Sequence, residues 1–201
     1  MKTFGNHIKN LKTRLPVLSI SMALISLLLY FGIDAGTFLQ YDRNSIANGE
    51  LWRIFTSHWT HWSFEHFLWC TLTFVALGYI CEEISRKGFV ATLAITSCAI
   101  PAVLWITDSG MELYRGLSGL ASAIFVFGSL MMMLKALRTS DWPRFFLAAA
   151  AGFGYLAKIL YEFISGSALF VNTHEIFLPV PLVHLTGGAV GLIVALILAM
   201  K

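Results

Sequence analysis

Two short segments carry the residue types that nucleophilic catalysis needs. The first, Arg115-Gly116-Leu117-Ser118-Gly119, sets a serine among glycines at the opening of an apolar stretch. Glycine permits tight turns and the close approach of another chain. A serine at a helix N-terminus sits beside unpaired backbone N–H groups and the positive end of the helix dipole. Such donors are what an oxyanion requires. The second, Val183-His184-Leu185-Thr186-Gly187-Gly188-Ala189-Val190-Gly191, puts a histidine one turn into another apolar stretch. Gly187 and Gly191, with Gly188 beside them, give a small-residue face on which a second helix can pack backbone to backbone. A serine within reach of an imidazole is the minimal activated nucleophile. Taken singly, each segment also has a plain structural use. Ser118 would cap a helix, and His184 would bond a backbone carbonyl. Their matched depth in two apolar stretches favours chemistry.

A third group, Leu51-Trp52-Arg53-Ile54-Phe55-Thr56-Ser57-His58-Trp59-Thr60-His61, is followed by His66. Three histidines so close raise the question of a metal. His58 and His61 are spaced to share a helix face, yet no carboxylate or cysteine set accompanies them at a familiar spacing. No metal and no cofactor is expected, and His58 and His61 read as interfacial hydrogen-bonding groups. His66 is set to enter the membrane near the level of Ser118.

The elements that position these groups follow from composition. Of 201 residues, 57% are hydrophobic and 12% charged, and the mean hydropathy is +0.74. A soluble domain carries about 25% charged residues, so half the usual charge leaves most of this surface facing lipid. Nucleic-acid binding is excluded, because the modest net charge of +3 is not gathered into a basic patch. Cys70, Cys81 and Cys98 are an odd count in or beside apolar segments, which argues against a disulfide framework.

A bilayer needs about 20 mainly apolar residues per helix. Six stretches qualify, at 16–35, 64–82, 88–107, 117–137, 143–165 and 180–200. The sequence therefore predicts an all-α polytopic bundle of six transmembrane helices. Residues 1–15 would form a tail and 16–201 one membrane domain. The first stretch follows a basic start and reads as a retained signal anchor, since no small-residue cleavage site follows it. With six spans, Lys2, Lys9, Lys12, Arg14, Arg86, Lys87, Lys135, Arg138, Arg144 and Lys201 share one side, against Arg43, Arg53 and Arg115 on the other. Positive charge marks the cytoplasmic face, so both termini are expected there. Ser118, His184 and two long connections, 36–63 and 166–179, would lie on the outer side.

Other polar residues have simple uses. Glu82 and Glu83 would be solvated at a helix end, Lys158 and Glu162 would pair at i,i+4, and Ser122 would bond backbone or line a cavity.

In order and spacing these residues resemble the rhomboid family of intramembrane proteases over residues 45 to 195. The likeness rests on Trp52-Arg53 with Phe55 and Thr56, on His61 and His66, on Gly116-x-Ser118-Gly119, and on His184-x-x-Gly187-x-x-x-Gly191. The resemblance implies a six-helix rhomboid-like bundle in a lipid bilayer and an endopeptidase that cuts transmembrane protein substrates. Ser118 would attack the carbonyl and His184 would act as general base, then general acid. His66 and the backbone N–H groups around Ser118, in the Gly116-Leu117-Ser118-Gly119 turn, would support the oxyanion. One position departs from the pattern: the family commonly has asparagine four residues after the second-helix histidine, and here Cys70 stands there. A thiol is a weak donor. The segment Tyr114 to Gly119 and the compact chain also resemble the bacterial rhombosortases, which process a Gly-Gly C-terminal sorting segment and imply a bacterial inner-membrane location. An inactive rhomboid-like protein that binds membrane clients is the third reading, and a transporter is weaker for want of repeat halves. With no aspartate in evidence to orient His184, a dyad is expected, its imidazole held by packing against Tyr155 or Tyr161.

Overall fold

The structure, a computed structural model, describes residues 15–32, 36–166 and 181–200. The expected 1–15 tail and the 166–179 connection lie almost wholly outside these residues. The architecture is an all-α bundle: α1 (Val17–Phe31), α2 (Gly36–Leu39), α3 (Arg43–Ala47), α4 (Arg53–Thr56), α5 (Phe64–Thr107), α6 (Ser118–Arg138), α7 (Trp142–Ser165) and α8 (Pro181–Ala199). Four of them, α5 to α8, are long and apolar enough to cross a membrane, and α1 is a shorter apolar helix.

The 44 residues of α5 would reach about 66 Å if straight, twice a bilayer core. They do not run straight. Ser85 has extended backbone (φ −162°, ψ 98°), and its hydroxyl accepts the Gly88 N–H at 3.1 Å, capping the second half. The break falls between the two stretches, 64–82 and 88–107, that the sequence separates.

At the core, α6 lies against α5, α7 and α8. Its buried face includes Leu120, Ile124 and Phe127, which meet Phe74 and Phe89 from α5 and Val190 and Val194 from α8. The seam between α6 and α8 uses backbone. A Cβ on Gly187 would collide with the Gly119 carbonyl, and one on Gly191 with the Ala123 carbonyl. The small-residue face anticipated from the sequence is therefore the contact itself.

Glu82 corrects its sequence reading as a solvated helix end. Pro16 offers α1 no side-chain cap. Glu82 supplies one from α5, accepting the Ser19 N–H at 2.8 Å, the Ser19 hydroxyl at 2.7 Å and the Leu18 N–H at 3.4 Å. A carboxylate at a helix N-terminus satisfies orphan donors and meets the positive dipole end. Glu82→Gln should lower stability by about 2 kcal/mol, the net value of hydrogen bonds to a charged group. Thermal unfolding of the purified protein checks this, and an unchanged midpoint would refute the cap.

The 36–63 connection is not a loose loop. Arg53 is buried at its centre, bonded to Glu50 at 2.7 Å, the Thr37 carbonyl at 2.7 Å and the Gln40 carbonyl at 3.1 Å. Thr56 donates to the Leu39 carbonyl at 2.7 Å. Trp52 and Phe55 stay exposed, as an interfacial segment requires. Two strands the sequence did not signal, β1 (Tyr41–Asp42) and β2 (Leu113–Tyr114), pair antiparallel and tie this connection to the approach to α6. Pairs this short carry no period to read.

Candidate active site

α6 starts at Ser118. Its first backbone bond runs from Ala121 N–H to the Leu117 carbonyl at 2.9 Å. The N–H groups of Ser118, Gly119 and Leu120 therefore have no acceptor within the helix. Ser118 is partly exposed, while Gly116, Leu117 and Gly119 around it are buried. Gly116 must be glycine twice over. Its φ is +132°, and a Cβ there would come 2.8 Å from Cε1 and 2.9 Å from Nε2 of His66. The Gly116 N–H donates to the Ser57 carbonyl at 3.1 Å, and its own carbonyl accepts the Tyr114 hydroxyl at 2.7 Å. That hydroxyl also lies beside the Ser118 side chain. The turn before the serine is thus held from three directions. The Leu117 side chain points into the apolar core and adds only backbone to the site.

Cys70 is buried on α5 with its sulfur facing the Ser118 backbone N–H. The position where the sequence pattern departs is therefore beside the serine. His66, one turn earlier, is buried, packs edge-on to His61 with ring centres 5.2 Å apart, and is close enough to His184 to interact electrostatically.

His184 arrives through the α6–α8 seam. Gly187 stands against Gly119 and Gly191 against Ala123, so the helices run parallel in a constant register. One turn earlier in α8, His184 is level with the start of α6 and 8% exposed. The Tyr155 hydroxyl donates to its carbonyl at 2.7 Å. Gly188 makes room for this contact, since a Cβ there would come 2.8 Å from the same hydroxyl. Ser122, expected to bond backbone or line a cavity, has its side chain by Tyr155.

Sequence reasoning missed one contact. Glu162 Oε2 lies 2.7 Å from His184 Nδ1, and its other oxygen lies 2.7 Å from Lys158 Nζ. The predicted Lys158–Glu162 pair is present, but it ends on His184. Tyr155 holds the His184 backbone and Glu162 bonds the imidazole. The sequence signal was partial: an acid near the outer end of a mainly apolar helix, at the depth of His184, whose i,i+4 lysine already offered it a partner.

His58 and His61 border this cluster, His61 edge-on to His66 and His58 edge-on to Tyr114 with ring centres 5.9 Å apart. His58 Nε2 pairs with the Ser97 carbonyl at 3.1 Å. Burial keeps both imidazoles neutral, with the His58 pKa pushed down to about 4 and that of His61 well below its ordinary 6.5. They are buried by protein and not interfacial groups in contact with solvent. Arg115 closes the rim, bonding Gln40 at 2.8 Å and stacking 4.4 Å over Trp62. Among the described residues, no group of three or more His, Cys, Asp and Glu side chains is placed to hold a metal ion.

The family model of the Rhomboid domain matches residues 48–201. The chain belongs to the rhomboid family. Rhomboids are intramembrane serine proteases, and with its apolar helices this rhomboid is an integral membrane protein. No curated protein matches the chain. Within the rhomboid domain, Cys70 invites a direct test. A side-chain donor in an oxyanion site is worth about 10²–10³ in rate, so Cys70→Asn should raise turnover by about 10-fold or more if the amide reaches the oxyanion. Initial rates on one substrate, compared with Cys70→Ala, decide it; equal rates for the two variants would mean the position does not touch the reacting oxygen.

Proposed function

We propose that this rhomboid is an active intramembrane endopeptidase working through Ser118 and His184. The observation that supports the reading is the backbone seam of Gly187 on Gly119, which brings His184 level with Ser118 at the start of α6. In the proposed reaction Ser118 Oγ bonds to the scissile carbonyl carbon while its proton passes to His184 Nε2. The oxyanion is met by the N–H groups at the start of α6 that have no acceptor within the helix, with His66 beside them. Collapse breaks the C–N bond as His184 returns the proton to the leaving amine. Water then repeats the cycle on the acyl-enzyme, releasing the acid and free Ser118.

The wider topology belongs to the same proposal. α1, the two halves of α5, α6, α7 and α8 make six spans, with a tail over 1–15 and the membrane domain over 16–201. Positive charge favours cytoplasmic termini and a site on the outer side, and the rhombosortase resemblance suggests a bacterial inner membrane. The substrate is a transmembrane protein segment that enters from the bilayer and unwinds, exposing its carbonyl.

Reaction with a fluorophosphonate, read by mass spectrometry, tests the nucleophile. The adduct is expected on Ser118 and lost in His184→Ala. Cleavage of a helix-breaking transmembrane segment against a Gly-Gly-tailed one then separates the rhomboid from the rhombosortase specificity. An unmodified Ser118 with substrate that co-purifies uncut would overturn the proposal in favour of a client-binding protein.

A further inference from the structure

α7 buries only four of its residues: Ala148, Tyr155, Ile159 and Glu162. All four lie on one face, and two of them bond His184. A carboxylate inside an apolar helix is costly, and Glu162 is 2% exposed. Lys158 alone would compensate its charge. Stability therefore does not explain why the second oxygen is spent on an imidazole.

The distances determine where the proton sits. A carboxylate oxygen 2.7 Å from a ring nitrogen needs a hydrogen between them. Lys158, 2.7 Å from the other oxygen, keeps the carboxyl ionised, so the hydrogen belongs to the ring. Lys158 Nζ is 3.4 Å from the same Nδ1, too long to compete with the shorter contact. Nδ1 therefore carries the proton and Nε2 presents its lone pair. That is the tautomer a base must have to take a proton from a serine.

We infer that Glu162, held by Lys158, is a positioning residue that fixes the His184 tautomer and ring plane and steadies the imidazolium formed when Ser118 is deprotonated, making a Ser118–His184–Glu162 relay in which the carboxylate itself is never protonated. The inference rests on the proposed Ser118–His184 chemistry. Its test is built so that the two fail separately.

The full chain is purified as wild type, Glu162→Gln and Glu162→Asp, with Ser118→Ala as the control for the chemistry. Glu162→Gln should lower kcat by about 10²–10⁴-fold, the cost of losing the orienting carboxylate in a serine triad, while KM changes little. Glu162→Asp should recover part of the loss. In parallel, nitrogen NMR of histidine-labelled protein should find His184 protonated on Nδ1 in the wild type and on Nε2 in Glu162→Gln. An Nε2-protonated His184 in the wild type, or a Glu162→Gln kcat equal to wild type, would overturn the inference. Absence of Ser118-dependent cleavage in the wild type would sink the catalytic reading instead, and the tautomer would still report on Glu162.

Discussion

Ser118→Ala should lower substrate cleavage by at least about 10⁴-fold, and His184→Ala should lower it comparably, because groups that act as one unit fail together. The double variant should be no worse than either single one. This non-additivity is the informative part. Two residues that mattered only for packing would instead lose activity in step with lost stability, which the melting curves report. Ser118 is partly exposed and Ser118→Ala should unfold near the wild-type temperature, whereas His184→Ala takes one bond from the buried Glu162 and should melt somewhat lower. Rates measured in one detergent, alongside melting curves, check both halves. Additive losses that track falling stability would remove the case for a shared reaction.

Gly187→Val is the second large effect. Overpacking usually costs about 1–3 kcal/mol because neighbours shift by changing rotamers. Here the neighbour is the Gly119 carbonyl, backbone that has no rotamer to change. The expected loss is about 3 kcal/mol or more. Protein that still folds must part α6 from α8, and a misplacement of about 1 Å at reacting groups can cost 10²-fold in rate. Gly154 is the control, since a Cβ there meets nothing within 4 Å. Gly154→Ala in α7 should be neutral or stabilise by about 0.5–1 kcal/mol, the helix-propensity difference between the two residues. Activity and melting temperature of the two variants test the contrast, and equal behaviour would mean the seam yields more easily than its geometry implies.

The bundle was legible because lipid makes helix signals strong. Every spanning backbone group must bond within its own helix, so long apolar runs and their breaks are written directly in the sequence. Gly187 and Gly191 could be read as a contact face for the same reason. Glu162 could not be assigned to His184, because i,i+4 spacing with Lys158 already gave it a sufficient partner. Nothing in a single chain reports which face of α7 turns toward α8. Glu82 was misread similarly: its acceptor role depends on α1 lacking a cap of its own, a relation between residues far apart in sequence. The β1–β2 pair is two residues a side, below any periodic signal.

The break in α5 has a consequence for how the chain is made and cut. Ser85 alone departs from helical geometry, and it caps the helix that follows. There is almost no slack on that side. A nascent chain must commit the 64–84 and 86–107 segments as one hairpin. A protease needs several extended residues and finds none here. Limited digestion from that face should spare the Ser85 bend, and inserted tags there should be tolerated poorly compared with tags at either chain end.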